Sequence, residues 1–257
     1  MSNLPDWMIR WYEDSLRLYN APISDKSKNI LPLDSSDYID YDALPSYSEL
    51  NLLCATVKLN GGLGTSMGCQ GPKSLIKIDS LGNTFLDRII NQFQENDYSS
   101  DLILLNSFNT TKETNLFLNQ NYSDLRWSEL IQHPFKKVDL LTGAPFLDDS
   151  ESSFNPPGHG SVFFDLYYSG ILDDLLNRGV DYLFISNSDN LAANLDDKIM
   201  SYLQHTQCPF LIELTPKTVA DVKGGTVVRS DGHLMLWEIA QVLDQQRSLF
   251  ESQPVFN

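Results

Sequence analysis

The sequence predicts an α/β fold in which a mostly parallel sheet carries helices on both faces. Short apolar runs that are typical of buried strands alternate along the chain with segments of helical periodicity. A glycine-rich loop directly follows the first of the long strands. Sheets of this kind bind ligands at the carboxyl ends of their strands. We therefore expect the loops at those ends to carry the function.

The composition is that of a globular protein with a sizeable core: 257 residues, of which 42% are hydrophobic and 11% aromatic. The net charge of -16 argues against nucleic acid or an anionic membrane as the main partner. Three scattered cysteines do not form the pattern of a disulfide or zinc framework. With no signal peptide and no apolar run of spanning length, the sequence predicts a soluble, cytoplasmic protein.

Two regions are predicted, residues 1–48 and residues 49–257. Residues 4–19 place aromatic and aliphatic side chains at helical spacing, which indicates an amphipathic helix that docks on the main body. A helix on a membrane surface is the alternative, but it would carry more lysine and arginine on its polar face. Residues 20–48 are rich in proline, serine and aspartate, as expected for a connector.

The glycine-rich loop at residues 60–73 is the most informative stretch. It follows an apolar run at 52–59, interpreted as a buried strand, and precedes a second predicted strand at 75–78. Glycines leave backbone N–H groups open to an anion, and Lys73 supplies a mobile positive charge for phosphate. The sequence therefore predicts a phosphate-binding loop, with a tight turn that binds no ligand as the alternative.

Two common phosphate motifs are not matched by this loop. The dinucleotide fingerprint requires glycine where Met67 stands, and a P-loop requires glycine immediately before lysine, whereas Pro72 separates Gly71 from Lys73. The loop therefore comes close to both motifs and matches neither.

The rest of the chain continues the alternation of helices and strands. Helices are expected at residues 85–93, after a capping box formed by Thr110 and Glu113, at 162–178 and at 197–204. Strands are expected at residues 101–106, 127–132, 181–186 and 210–214, with a polar loop at 143–157 and a hairpin at 227–238 that turns at Ser230-Asp231-Gly232.

Three later segments carry candidate binding groups. Asn187-Ser188-Asp189-Asn190 follows a predicted strand, and its carboxylate and amide groups could hold a divalent metal or a sugar hydroxyl, or its asparagine and aspartate residues could simply form a helix cap or a turn. Gly158 and Gly160 leave His159 unobstructed before a helix, whose N-terminus favours anions. The segment 217–225 offers lysines and glycines either for a ligand or for a solvated turn.

Five segments carry a family resemblance: LNGGLGTSMGCQGPKS at 59–74, NPPGHG at 155–160, SNSDNL at 186–191, KTVADVKGG at 217–225 and EIAQV at 238–242. In this order they resemble the UTP–glucose-1-phosphate uridylyltransferase family, also called the UDP-glucose pyrophosphorylases. The related UDP-N-acetylhexosamine enzymes have arginine after the threonine of the glycine loop, where Ser66 stands here.

The resemblance implies a nucleotide-diphospho-sugar transferase fold, a Rossmann-like α/β/α sandwich, with residues 49–257 as the catalytic domain. It also implies the reversible reaction of UTP with glucose 1-phosphate to give UDP-glucose and pyrophosphate, with Mg²⁺ as cofactor. Neither the resemblance nor the residues indicate an oligomeric state.

Residue roles follow from the resemblance. It implies that Lys73 is catalytic and neutralises the UTP phosphates. The implied nucleotide-binding residues are Leu59, Gly61, Gly62, Lys73, Gln132, Gly158, Asn187 and Asp189, with Gln132 and Gly158 at the uracil and Asp189 also at Mg²⁺. The implied sugar-phosphate and sugar contacts are His159, Gly225, Glu238 and Asn257.

The sequence also departs from the family. Ser161 and Ala192 stand where the family usually has aspartate and glycine, and the segment after Glu238 is a few residues shorter. The family continues beyond the position of Asn257 with a further phosphate-binding lysine and a C-terminal domain, so an incomplete catalytic domain is expected. A UTP- or UDP-sugar-binding protein without turnover, or a transferase for another sugar 1-phosphate, are the alternatives. A glycosyltransferase is disfavoured because the glycine loop with Lys73 suits triphosphate activation.

Overall fold

The structure, a computed structural model, describes residues 5–20, 30–45, 47, 50–69, 71–96, 99–218 and 224–256. The chain divides into two compact units. The larger unit comprises Tyr47–Asp139 and Pro145–Gln204, and the smaller unit comprises Met1–Ser46, Leu140–Ala144 and His205–Asn257.

Helices and strands alternate through the described residues. The helices are α1 (Asp6–Asn20), α2 (Phe85–Glu95), α3 (Thr111–Asn121), α4 (Val162–Tyr168), α5 (Ile171–Asn177), α6 (Asp197–Thr206) and α7 (Arg247–Glu251). The strands are β1 (Ile30–Leu31), β2 (Cys54–Asn60), β3 (Ser99–Asn106), β4 (Trp127–Ile131), β5 (Phe135–Lys136), β6 (Phe154–Asn155), β7 (Tyr182–Asn187), β8 (Leu214–Thr215), β9 (Thr226–Ser230), β10 (His233–Trp237) and β11 (Val255–Phe256).

A four-stranded parallel sheet in the order β4-β3-β2-β7 forms the centre of the larger unit. The register places Leu59 of β2 beside Asn187 of β7, and Asn60 of β2 beside Asn106 of β3. The carboxyl ends of all four strands therefore meet at one edge of the sheet. The loops that follow β2, β4 and β7 start from this edge, which is where a sheet of this kind is expected to bind its ligand.

Helices cover both faces of this sheet because its strands are apolar on both sides. On one face, Val57 and Ile103 pack with Leu166 of α4 and Leu175 of α5. On the other face, alternate residues of β3 contribute to a second core with helices α2 and α3, which includes Leu86, Ile90, Leu102, Leu104 and Leu118. The predicted α/β/α arrangement of a mostly parallel sheet is confirmed.

The smaller unit contains an antiparallel sheet around β9, which pairs with β1, β10 and β11. The hairpin between β9 and β10 was predicted, and it turns through Asp231 and Gly232, both with positive φ. Val228, Trp237 and Phe250 lie in its core. The predicted N-terminal helix is present as α1.

Two predictions for the larger unit are wrong because local turns interrupt the expected elements. Residues 75–78 do not form a strand: a 3₁₀ turn occupies Lys73–Leu75, and the Asp79 side chain then accepts from the backbone of Leu81 and Asn83 and reverses the chain. The helix expected at 162–178 is divided into α4 and α5, since Gly170 adopts a left-handed conformation between them.

Three further predictions need correction. Helix α3 is present, but Thr110 does not form a capping box, because its hydroxyl bonds to the backbone of Ser107. The polar loop at 143–157 contains β6, which pairs with β5. Of the strand expected at 210–214, only Leu214 pairs, as part of β8. None of the helices in the described part of the chain has the length and apolar character needed to span a bilayer.

The side chain of Lys58, on β2, is buried in the larger unit with 3% of its surface exposed. Burial lowers its pKa from 10.5 to about 8. Between these values the unfolded chain binds more protons than the folded chain, so this group makes the protein more stable as the pH rises. We expect the wild type to gain about 2 kcal/mol of unfolding free energy over Lys58→Met between pH 7.5 and 10, measured by urea unfolding. An unchanged difference between the two proteins would contradict this prediction.

Candidate active site

A cavity of about 140 Å³ lies at the carboxyl edge of the parallel sheet. The lining residues come from the ends of β2 and β7, the glycine loop and the loop before α4: Leu59, Gly62, Lys73, His159, Asn187, Ser188 and Asp189. Segments that are distant in the sequence thus meet at the position where a parallel sheet is expected to bind its ligand.

The glycine loop folds back on itself, and this places Lys73 at the cavity. The Lys73 backbone N–H donates to the Gly62 carbonyl at 3.0 Å, and the Gly64 N–H donates to the Gly71 carbonyl at 2.9 Å. Leu63 and Pro72 form an antiparallel bridge between these two bonds. The loop is therefore a closed hairpin, which holds Lys73 beside the first glycines.

Lys73 forms an ion pair with Asp189, with 3.1 Å between Nζ and Oδ2. Asp189 is held near this position because the Ser188 N–H donates to the Leu59 carbonyl at 3.2 Å. About a third of each charged side chain is exposed, so the pair contributes little to stability. A ligand with phosphate groups can separate the two charges at low cost.

His159 faces the same cavity from the turn before α4. Although much of its surface contacts solvent, partial burial lowers its pKa, with the Asp189 carboxylate opposing this effect and the Lys73 ammonium adding to it. This lowering of the pKa favours the neutral imidazole. It can donate one hydrogen bond to a ligand oxygen without carrying a charge.

Gln132 lies just beyond β4 and is 1% exposed. Its Nε2 donates to the Gly158 carbonyl at 2.7 Å and to Ser161 Oγ at 3.1 Å. Because a carbonyl oxygen can only accept, these contacts fix which way the amide faces. Both N–H groups of the Gln132 side-chain amide donate to protein atoms, so only its Oε1 is left to accept a hydrogen bond from a ligand.

Gly61 and Gly158 allow this arrangement. A Cβ on residue 61 would lie 2.4 Å from Gln132 Oε1, so any larger residue there would have to displace the amide. The Gly61 carbonyl is fixed by Ser107 Oγ, which donates to it at 2.8 Å. Gly158 has a φ of 103°, which favours glycine and orients its carbonyl toward Gln132.

Asp165, on helix α4, is buried and interacts with Ser161. Burial raises the pKa of its carboxyl group, whereas interactions with Ser161 and His133 oppose the rise. His133 Nδ1 is 3.3 Å from Asp165 Oδ1. Ser161, noted above as a departure from the family, thus lies between a buried carboxylate and the amide of Gln132.

The structure brings most of the implied nucleotide residues together, and their roles stay predictions. Five of them line the cavity: Leu59, Gly62, Lys73, Asn187 and Asp189. His159, implied as a contact of the sugar phosphate, lines it as well. Gly61, Gln132 and Gly158 form one contacting group in the same unit.

The implied sugar residues belong to the smaller unit. Gly225 is next to Glu238, whose Oε1 is 2.8 Å from the position of a Cβ on residue 225. Desolvation raises the pKa of Glu238. Asn257 and residues 219–223 lie outside the described residues.

Sequence reasoning missed three side chains at or near the site. Ser188 lines the cavity, and its position within the SNSDNL segment could have identified it from the sequence. Ser107 and Lys58 contact the site loops from β3 and β2, and no local motif marks them.

Comparison with known proteins identifies the family that this chain matches. The model of the family described as UTP–glucose-1-phosphate uridylyltransferase matches residues 15–257. UTP–glucose-1-phosphate uridylyltransferase 2 of Dictyostelium discoideum is 41% identical over 236 residues, covering 87% of this chain and 47% of that protein. The UTP–glucose-1-phosphate uridylyltransferase of Saccharomyces cerevisiae is 46% identical over 196 residues, covering 73% of this chain and 39% of that protein.

A solved structure agrees with these relatives. A mutant UDP-glucose pyrophosphorylase from Leishmania major, crystallised in complex with UDP-glucose, superposes with a TM-score of 0.83 and 29% identity, covering 100% of this chain and 59% of that one. The chain therefore spans less than two thirds of the length of these proteins. By the extent of the family match and the identity to its members, the chain belongs to the UTP–glucose-1-phosphate uridylyltransferase family.

Proposed function

We propose that the chain binds UTP in the cavity of its larger unit and transfers the uridylyl group to glucose 1-phosphate. The observation that carries this proposal is the meeting of Lys73, His159 and Asp189 around one cavity beside the buried amide of Gln132. A cation, a neutral donor and a carboxylate suit a triphosphate with its metal. An amide that offers only an acceptor suits the N3–H of uracil.

The reaction needs little covalent help from the protein. A phosphate oxygen of glucose 1-phosphate attacks the α-phosphorus of UTP, a new P–O bond forms, and the bond to the β-phosphate oxygen breaks to release pyrophosphate. The attacking phosphate is already anionic, so no general base is required. The protein contributes by aligning the two substrates and by stabilising negative charge, which is the role we assign to Lys73.

Mg²⁺ is the implied cofactor, and the donor set fits one mode of binding. Asp189 provides a single carboxylate, with the amide of Asn187 and the hydroxyl of Ser188 in the same lining. Among the described residues, no group of three or more histidine, cysteine, aspartate or glutamate side chains could hold a metal ion. Mg²⁺ is commonly held by one or two carboxylates together with substrate phosphates and water. Asp189 would hold such an ion, which would supply further neutralisation of phosphate charge.

His159 is proposed to contact the phosphate of the sugar substrate. As a neutral donor it can bind a phosphate oxygen without competing with Lys73 for charge. Gly225 and Glu238 remain predicted sugar-binding residues because they stand in the family-like segments 217–225 and 238–242, and Asn257 remains one on the family resemblance alone.

The test is an assay of pyrophosphate release by the purified chain, with UTP, glucose 1-phosphate and Mg²⁺. We expect release that requires both substrates and stops when EDTA removes the metal. The same assay with galactose 1-phosphate and other sugar 1-phosphates tests which sugar is used. A chain that binds UTP but releases no pyrophosphate with any sugar phosphate would overturn the proposal in favour of a nucleotide-binding protein.

A further inference from the structure

Two side chains lie beneath the loop that carries Asp189, and the proposed reaction uses neither. Residues 188–194, here called the Asp189 loop, follow strand β7. Lys58 reaches the loop from β2 and Gln92 reaches it from α2. Both contacts are made inside the larger unit, on the face of the sheet that α2 covers.

These side chains hold the loop at two carbonyl groups. Lys58 Nζ donates to the Ala193 carbonyl at 3.0 Å and to Ser186 Oγ at 2.7 Å, so it ties the end of the loop to strand β7. Gln92 Nε2 donates to the Leu191 carbonyl at 2.9 Å. The loop backbone after Asp189 is therefore fixed by side chains from two separate elements.

The same two residues line a small cavity of about 10 Å³, together with Phe184 and Asn194. Gln92 Oε1 is buried and has no hydrogen-bond partner among the described residues. A cavity of this size has room for one water molecule. A water there would accept from the remaining N–H of Lys58 and donate to Gln92 Oε1, which would link the two side chains.

The chemistry of Lys58 also calls for an explanation. None of the ion pairs between described residues involves Lys58, and both of its hydrogen-bond acceptors are neutral. A buried ammonium without a carboxylate is costly, and an apolar side chain would be more stable here. The stability of the fold does not favour a lysine at this position, and a role in the site explains why one is present.

We propose that Lys58 and Gln92 are positioning residues that hold the Asp189 loop in the geometry that presents Asp189 to Lys73 and to a metal-bound phosphate. The consequence for catalysis rests on the function proposed above, whereas the consequence for the loop does not. Loss of either side chain frees a carbonyl of the loop and lets Asp189 leave its position.

Hydrogen exchange followed by mass spectrometry tests the effect on the loop directly. Lys58→Met and Gln92→Met keep the length of the side chains and remove the donors, and Lys112→Met, at an exposed lysine of α3, is the control. We expect the amides of residues 188–194 to exchange at least about tenfold faster in the first two variants, with β3 and β4 unchanged and the control like the wild type. Unchanged exchange in the loop, or equal acceleration throughout the unit, would overturn the proposal.

Kinetics then test the effect on the site. In Lys58→Met we expect the Mg²⁺ concentration for half-maximal rate to rise about tenfold, with the rate restored at high Mg²⁺, because the metal compensates for a displaced carboxylate. A rate that falls equally at all Mg²⁺ concentrations would contradict the role in positioning. If the wild type has no activity, the proposed function fails, and hydrogen exchange still decides whether the two residues hold the loop.

Discussion

Replacement of Lys73 with alanine is expected to lower the turnover number for pyrophosphate release by more than about a hundredfold. A charge-assisted hydrogen bond contributes about 1.5–3 kcal/mol, and this lysine meets charge that grows as the bond to pyrophosphate breaks. Lys73 can take this role because the hairpin of the glycine loop holds its backbone against Gly62. Steady-state kinetics at saturating UTP and glucose 1-phosphate measure the effect.

Lys77→Ala is the matched control for this prediction. Lys77 lies four residues further along the chain, is exposed, and pairs with Thr84 through its backbone. This variant should keep the turnover number of the wild type. An unchanged turnover number in Lys73→Ala would refute the catalytic role of Lys73, even if the affinity for UTP decreased.

Replacement of Gln132 with alanine is expected to weaken UTP binding by about ten- to a hundredfold and to leave the weaker binding of CTP almost unchanged. The reason is the orientation of the amide, which Gly158 and Ser161 fix so that Oε1 alone faces the ligand. Uracil presents a donor at N3, whereas cytosine presents an acceptor there. Equilibrium dialysis with both nucleotides measures the ratio of affinities.

Gly61→Ala provides a second route to the same effect and a control for it. Its new Cβ would lie 2.4 Å from Gln132 Oε1 and would displace the amide, so UTP binding should weaken to a similar extent. In a Gln132→Ala background the clash is absent, and the added substitution should cost little. If the losses of UTP affinity in the two single variants add fully in the double variant, Gly61 does not act through Gln132. Thermal unfolding of each variant checks that the fold is intact.

The fold could be predicted from sequence where local residue preferences and the pattern of buried apolar residues indicate the same element. Strands β2, β3 and β7 are mostly apolar on both sides, as strands of a sheet covered on both faces are expected to be. The β9–β10 hairpin was predictable because Asp231 and Gly232 tolerate the positive φ that its turn requires. Prediction failed where two sequence features disagreed. The helical pattern continues on both sides of Gly170, so the break between α4 and α5 was not predicted.

The site was predictable only in part, for a related reason. Lys73, His159 and Asp189 stand in motifs of unusual local composition, so sequence alone could single them out. Lys58, Gln92 and Ser107 act through contacts between elements that are far apart in the sequence. Their neighbours are ordinary strand and helix residues, and only the packing of β2 against β7 and α2 reveals what they hold.

The most direct test of the account is a calorimetric titration of UTP, in the presence of Mg²⁺, into the wild type and into Lys73→Ala. If backbone amides of the glycine loop and the Lys73 ammonium hold the triphosphate, the wild type will show saturable one-to-one binding, weakened at least about tenfold in the variant. No saturable heat with the wild type, or equal affinity in the two proteins, would contradict the account.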